Sequence, residues 1–466
     1  MLELPPYILS TSDLYLTPAY FIILFLLVRK LKRKYYSASH LKHFILPGFF
    51  IHVAGSILFA LIYQYYYGYG DTFGYFTGAH EIWAAFTKNP KVAFELIFVN
   101  RENFSQTAMD WAPHASSDDI AASYTAIIKI AGFIGLFCFG SYLPMALIFG
   151  LFAFWGTWLI FITINQYFPH LYKYTAIACL FIPSVVIWNS GISKEPLCLF
   201  ALGLCFYSFD RILHQKGVMR HLVHFSIGAF LLLAIKSYIF YTFSLIGILW
   251  LYRFFLSRIS HYIIKLIIRL IVMVGIIWLF IYFIAIPDNF IQQLLAEALT
   301  HGEHLQEYMT SINETYGGSG YTLPSLDLNA GGIIQTFFLS LNVTLFRPYV
   351  WECKNLLMVM SCIESFATLV LILIVFFKAG IIKIISYCNK FPVLFFMVMF
   401  SLILAPVVGF ISFNFGTLVR YKVPFLPFFI SFLLIVLFDK KISSAARERM
   451  TPEPFNKVLQ EKYSNF

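Results

Sequence analysis

Asp71 stands in the run Tyr69-Gly70-Asp71-Thr72-Phe73-Gly74-Tyr75, where a long apolar segment gives way to a mixed one. A carboxylate at such a membrane edge can accept a proton or hold a metal before a substrate that arrives from the bilayer. Its structural alternative is capping the helix that begins near Thr72, and the two roles are compatible. Lys194 and Glu195 follow Pro183 and Trp188-Asn189-Ser190-Gly191 and precede Pro196 and another apolar run. Two opposite charges thus fall in a tight connection between membrane segments, where ionisable groups are costly and mark function by default. The competing role is an interfacial ion pair with Glu195 at a helix N-terminus.

Three cations join them: Lys236 in Lys236-Ser237-Tyr238, Arg347 in Leu345-Phe346-Arg347-Pro348-Tyr349, and Arg420 after Asn414-Phe415-Gly416-Thr417. An anionic headgroup, phosphate or pyrophosphate, accounts for cations at these positions, and guanidinium offers it bidentate geometry. Snorkelling to lipid phosphates explains any one of them but not all three equally well. Lys129 and Glu364 read as buried partners or as residues near helix ends, structural rather than functional in either case. His301, Glu303, His304 and Glu307 have the i, i+3 and i+4 spacing of a one-faced metal site, although such runs are more often solvated.

These residues need a membrane to position them. The 466 residues are 60% hydrophobic and 12% charged, with a mean hydropathy of +0.77, against about 25% charged in a soluble domain. Apolar runs long enough to cross a hydrocarbon core of about 30 Å recur throughout, so the sequence predicts an all-α polytopic membrane protein. The 33 basic and 23 acidic residues leave +10, spread over short loops. That distribution reports orientation rather than nucleic-acid binding. The seven cysteines show no metal or disulfide spacing.

By the positive-inside rule, the basic run 29–34 after the first segment (14–29) is cytoplasmic, which puts the loop after the second segment (43–66) on the external side. Basic loops at 211–220, 253–269, 378–390 and from Lys440 then fix crossings at 222–237, 239–256, 264–286, 356–377, 392–412 and 423–438. Segments 121–140 and 143–165 also read as crossings, with broken helices within 142–190 at Pro144, Pro169 and Pro183. The expected total is about eleven to thirteen helices. Residues 1–442 form the bundle, with large external loops at 67–120, carrying interfacial helices, and at 287–333; residues 443–466 form a short cytoplasmic tail.

Three elements together resemble the integral-membrane glycosyltransferases of the GT-C superfamily. They are Gly70-Asp71 with Tyr75, the hairpin Pro183-x4-Trp188-Asn189-Ser190-x3-Lys194-Glu195, and Gly416-x3-Arg420-Tyr421-x2-Pro424-x2-Pro427. The likeness is nearest to bacterial members distantly related to protein mannosyltransferases and lipid A aminoarabinose transferases. It implies Asp71 and Glu195 as catalytic carboxylates, with Lys194, Arg420, Tyr75 and Asn189 contacting substrate and its phosphate, to which the charge argument above adds Lys236 and Arg347. It implies a polyprenyl-phosphate-linked sugar as donor and a glycan, lipid or protein hydroxyl as acceptor. A divalent cation, on Asp71 or on His301 and His304, would be optional. The site would face the periplasm from a bacterial inner membrane. An extra N-terminal helix and the lack of a large soluble C-terminal domain depart from the best-known members and leave the acceptor class open. A polymerase or ligase of pyrophosphate-linked glycans, centred on Arg347 and Arg420, is the second reading, and a lipid-linked substrate transporter or flippase the third.

Overall fold

Long apolar stretches with few breakers satisfy every backbone group internally only as helices, and helices are what this chain builds. The computed structural model describes residues 7–116, 121–285, 320–321 and 330–439. Among them the order is α1 Thr11–Tyr36, α2 Lys42–Leu61 (prolonged by a π-helical turn, Ile62–Tyr67), α3 Asp71–Lys88, α4 Pro90–Phe98, α5 Gln106–Trp111 and α6 Ala122–Phe137. There follow α7 Tyr142–Tyr167, α8 Tyr172–Leu180, α9 Pro183–Ile187, α10 Lys194–Leu213, α11 Val218–Arg258 and α12 Tyr262–Ala285. Last come α13 Ala330–Phe346, α14 Leu356–Lys390, α15 Pro392–Ser412, α16 Phe415–Tyr421 and α17 Leu426–Phe438. Seven of these helices are long and apolar enough to span a membrane, eight when α16 and α17, bent by 66°, count as one passage. The protein is an all-α polytopic membrane protein.

Three features of the described helices bear on how this tally relates to the eleven to thirteen expected of the whole chain. First, α11 is continuous by hydrogen bonding yet reverses at Lys236, whose backbone leaves the helical region (φ −145°, ψ 79°). The Phe225 and Phe243 rings lie 6.1 Å apart, although a straight helix would separate those residues by about 27 Å. Both rings also meet Phe209 of α10. The expected passages 222–237 and 239–256 are therefore the two arms of a hairpin with Lys236 at its tip.

Second, α6 does not cross. Near its start, Tyr124 packs on Tyr75 at 4.2 Å. Just past its end, Ser141 Oγ bonds Ser12 Oγ at 2.7 Å and Tyr142 Oη bonds Thr72 Oγ1 at 2.8 Å. Both ends thus lie at the same end of the bundle, and 16 residues reach only about 24 Å. Third, α8 and α9 are pieces of one broken passage that climbs beside α2. Tyr172 meets His40 and Phe44 near the start of α2, and Trp188 meets Phe59 near its end. At the break, Ser184 N and Oγ donate to Glu364 at 3.1 and 2.6 Å, as irregular backbone in a bundle requires.

The centre of the core is α7, which buries Phe149, Phe154, Trp158 and Phe161. It touches α10 backbone to backbone, since a Cβ at Gly203 would fall 2.3 Å from Gly156 O; small residues permit such approach. One end of the bundle is basic and tied by Tyr167 Oη donating to Asp210 (2.5 Å), His170 to Asp439 (3.2 Å), Tyr387 Oη to Asp439 O (3.0 Å) and Arg253 Nη2 to Cys388 O (2.9 Å). The opposite end carries α3 to α6, the start of α10, the tip of α11 and the whole of α16.

Candidate functional site

Four chain segments far apart in sequence meet at that opposite end. Helix α2 finishes in its π-helical turn and stops at Gly68 (φ +69°). Gly70 (φ +132°) then launches α3, and a Cβ there would lie 2.7 Å from the Tyr63 ring. Only glycine allows that turn and that contact together. Asp71 is thereby the first residue of α3, where the helix dipole favours an anion. Glu195 occupies the corresponding first turn of α10 behind Ser193. Lys236 is the tip of α11. Arg420 sits on α16, which Phe413 (φ +46°) and the Asn414 cap, accepting from Gly416 N at 2.7 Å, turn back into the bundle.

Arg420 is the hub. Its Nη2 lies 3.4 Å from Asp71 Oδ2 and 3.3 Å from Glu195 Oε2, and its Nη1 donates to Tyr63 Oη at 3.4 Å. Lys236 Nζ donates to Glu195 Oε1 at 3.0 Å and stands 3.6 Å over the Tyr421 ring. The two carboxylates live in different surroundings. Glu195 is 1% exposed and gripped by two cations, whereas Asp71 is 54% exposed and, among the described residues, meets a single cation, Arg420. Counting Lys194, three cations stand against two carboxylates, so the cluster carries a surplus positive charge. Lys194 Nζ donates to the neutral Ser123 Oγ at 2.8 Å rather than forming the alternative ion pair with its neighbour Glu195.

The other expected site residues fall around this cluster in different ways. Tyr75 is buried beneath Asp71 against Tyr124; burial, reinforced by the Asp71 charge, lifts its phenol well above the usual range, so it packs as a neutral ring. Asn189 is buried in the 188–193 loop, with neither side-chain amide atom hydrogen-bonded. Arg347 is engaged away from Arg420: its Nε donates to Glu352 at 2.9 and 3.1 Å, Nη2 makes a further contact, and its guanidinium lies 5.2 Å from the Tyr321 and Phe415 rings. His301 and His304 lie outside the described residues. No group of three or more His, Cys, Asp or Glu suited to a metal occurs among the described residues. Lys129 donates to Val99 O and Glu364 caps α9, the structural roles expected of them.

Sequence reasoning assigned no site role to Tyr63, Tyr421, Ser123 or Tyr124. Tyr421 is signalled by its adjacency to Arg420, whereas Tyr63 opens an aromatic run that reads equally as an interfacial belt. Also unforeseen is Glu81, which accepts from His114 N and Ala115 N at 3.1 and 3.0 Å and pins that turn over the start of α3. Burial raises its carboxyl's pKa against the opposing pull of those two N–H groups. Comparison of the chain with family models, with curated proteins and with solved structures finds no match.

Proposed function

We propose that the protein is a membrane glycosyltransferase that moves a sugar from a polyprenyl-phosphate donor to an acceptor hydroxyl, with inversion. The observation that carries this reading is the convergence of Asp71, Glu195, Lys236 and Arg420 on one end of the bundle, with a surplus cation and one exposed carboxylate. The basic clusters at the other end, cytoplasmic by the positive-inside rule, support an external site, which in a bacterial inner membrane would face the periplasm.

The chemistry divides between the two carboxylates. A donor phosphate entering beside Lys194 competes with Asp71 for Arg420 Nη2, and the cations stabilise the phosphate as it departs. Released from Arg420, Asp71 takes the proton of the acceptor hydroxyl as that oxygen attacks the anomeric carbon from the face opposite the phosphate. Glu195 touches neither reactant. Sealed between Lys236 and Arg420, it is a positioning residue, a change from the catalytic role expected of it. Arg347, neutralised by Glu352, gives little support to the polymerase or ligase reading.

The test is transfer in proteoliposomes supplied with polyprenyl-phosphate sugars. Asp71→Asn is expected to lower turnover by about 10²–10⁴-fold, the range of a general base, while expression and unfolding stay near wild type. Full transfer by Asp71→Asn, or no transfer by the wild type with any such donor, defeats the proposal.

A further inference from the structure

The outward face of α1 changes character along its length. Ile22, Ile23 and Leu26 are exposed, only a small part of this helix being buried in the bundle. One turn further on, Arg29, Lys30, Arg33 and Lys34 are all exposed and, with Leu26, line a cleft of about 470 Å³. None of the four has a carboxylate within salt-bridge distance among the described residues; Lys34 only lies over the Tyr35 ring at 4.9 Å. Spacings of three and four residues place these like charges side by side, which destabilises a helix unless anions intervene. The C-terminal dipole favours Arg33 and Lys34 in the last turn but does not reach Arg29 and Lys30.

The depth of the patch selects the anion. Twenty residues from Thr11 span the hydrocarbon core of about 30 Å, so Arg29 to Lys34 emerge at the level of the headgroups on the basic side. We propose that this cleft is a binding site for an anionic phospholipid, its phosphate between the four cations and its acyl chain along Ile22, Ile23 and Leu26. The contiguity of basic cleft and apolar stripe on one helix face favours a lipid over a soluble phosphate, which would leave the stripe unused.

The experiment uses the full chain, purified in detergent and titrated with phosphatidylglycerol or phosphatidylcholine while native mass spectrometry counts retained lipids. Wild type is expected to hold phosphatidylglycerol at least tenfold more tightly than phosphatidylcholine. Arg29→Gln/Lys30→Gln leaves Lys32, Arg33 and Lys34 to fix orientation and is expected to weaken phosphatidylglycerol about 25-fold, at about fivefold per cation, with phosphatidylcholine unchanged. Lys383→Gln, a basic-end cation elsewhere, is expected to change neither. Equal retention of the two lipids by wild type, or undiminished phosphatidylglycerol in the double variant, overturns the proposal. So does inorganic phosphate that displaces phosphatidylglycerol at millimolar concentration, which would assign the cleft to a soluble anion.

Discussion

The two carboxylates on Arg420 make opposite forecasts. Glu195→Gln removes the one carboxylate that meets Lys236 among the described residues, in a pocket where glutamate and lysine are both buried, and it withdraws one of the two anions on Arg420. Removing one partner of a buried pair strands the other charge and costs about 3–5 kcal/mol, a large part of the about 5–15 kcal/mol that holds a typical domain together. Asp71→Asn breaks a longer contact made by a half-exposed side chain, worth about 0–1 kcal/mol once solvent screening is counted. Unfolding midpoints in detergent micelles, read alongside transfer activity, separate the cases. Glu195→Gln should be strongly destabilised, and Asp71→Asn should be stable and inactive. Glu195→Gln/Lys236→Met should recover part of the lost stability, because the stranded ammonium is gone. If Glu195→Gln unfolds where wild type does, or if Asp71→Asn is just as destabilised, the contrast between buried and exposed carboxylate is wrong.

Gly70→Ala forces a side chain onto a left-handed backbone and into the Tyr63 ring; a loss of about 1–3 kcal/mol with reduced transfer is expected from the same micelle unfolding and proteoliposome assays. Gly203→Ala pushes α10 off α7 and should cost about 1–3 kcal/mol, with Gly203→Leu worse, again read as unfolding midpoints. Burial raises the Glu352 pKa, but the Arg347 hydrogen bond and the Tyr349 N–H outweigh it and hold the carboxyl below its usual value. Stabilisation of the 347–355 loop is therefore present at neutral pH and lost as pH falls through the acidic range. Labelling of Cys353, whose thiol donates to Tyr349 O at 3.4 Å, by 4,4'-dithiodipyridine, a disulfide reagent that reacts with thiols in acid, reads this out during the acid exposure itself. Labelling should rise a few-fold, the pair being only partly exposed, and Glu352→Gln should abolish the pH dependence.

Much of the bundle is legible in the sequence because an apolar run of membrane length, bounded by basic residues, has few other solutions. The arms of α11 are readable for a related reason: Lys236 interrupts the run, and a buried ammonium needs a carboxylate to meet it. Helix α6 misleads because its apolar residues are buried by α3 through Gly78, Ile128, Gly132 and Ile82 rather than by lipid, and composition does not distinguish the two environments. In the site, Asp71, Glu195, Lys236 and Arg420 stand out as charges in apolar surroundings. The pairings are a matter of direction, not of sequence distance. Lys194 points to Ser123 and not to the adjoining Glu195, and Arg347 turns to Glu352 of its own loop. Tyr63 is hidden among neighbours of the same type, and only the turn at Gly70 shows which ring faces the guanidinium.

The hub guanidinium belongs to α16, while its carboxylate partners are synthesised 225 and 349 residues earlier, at Glu195 and Asp71. The Glu195–Lys236 pair is therefore already synthesised when α16 emerges, and the centre is completed only when that short helix docks and its guanidinium joins the buried pair to the exposed carboxylate. Assembly of the site thus waits on the placement of one seven-residue helix.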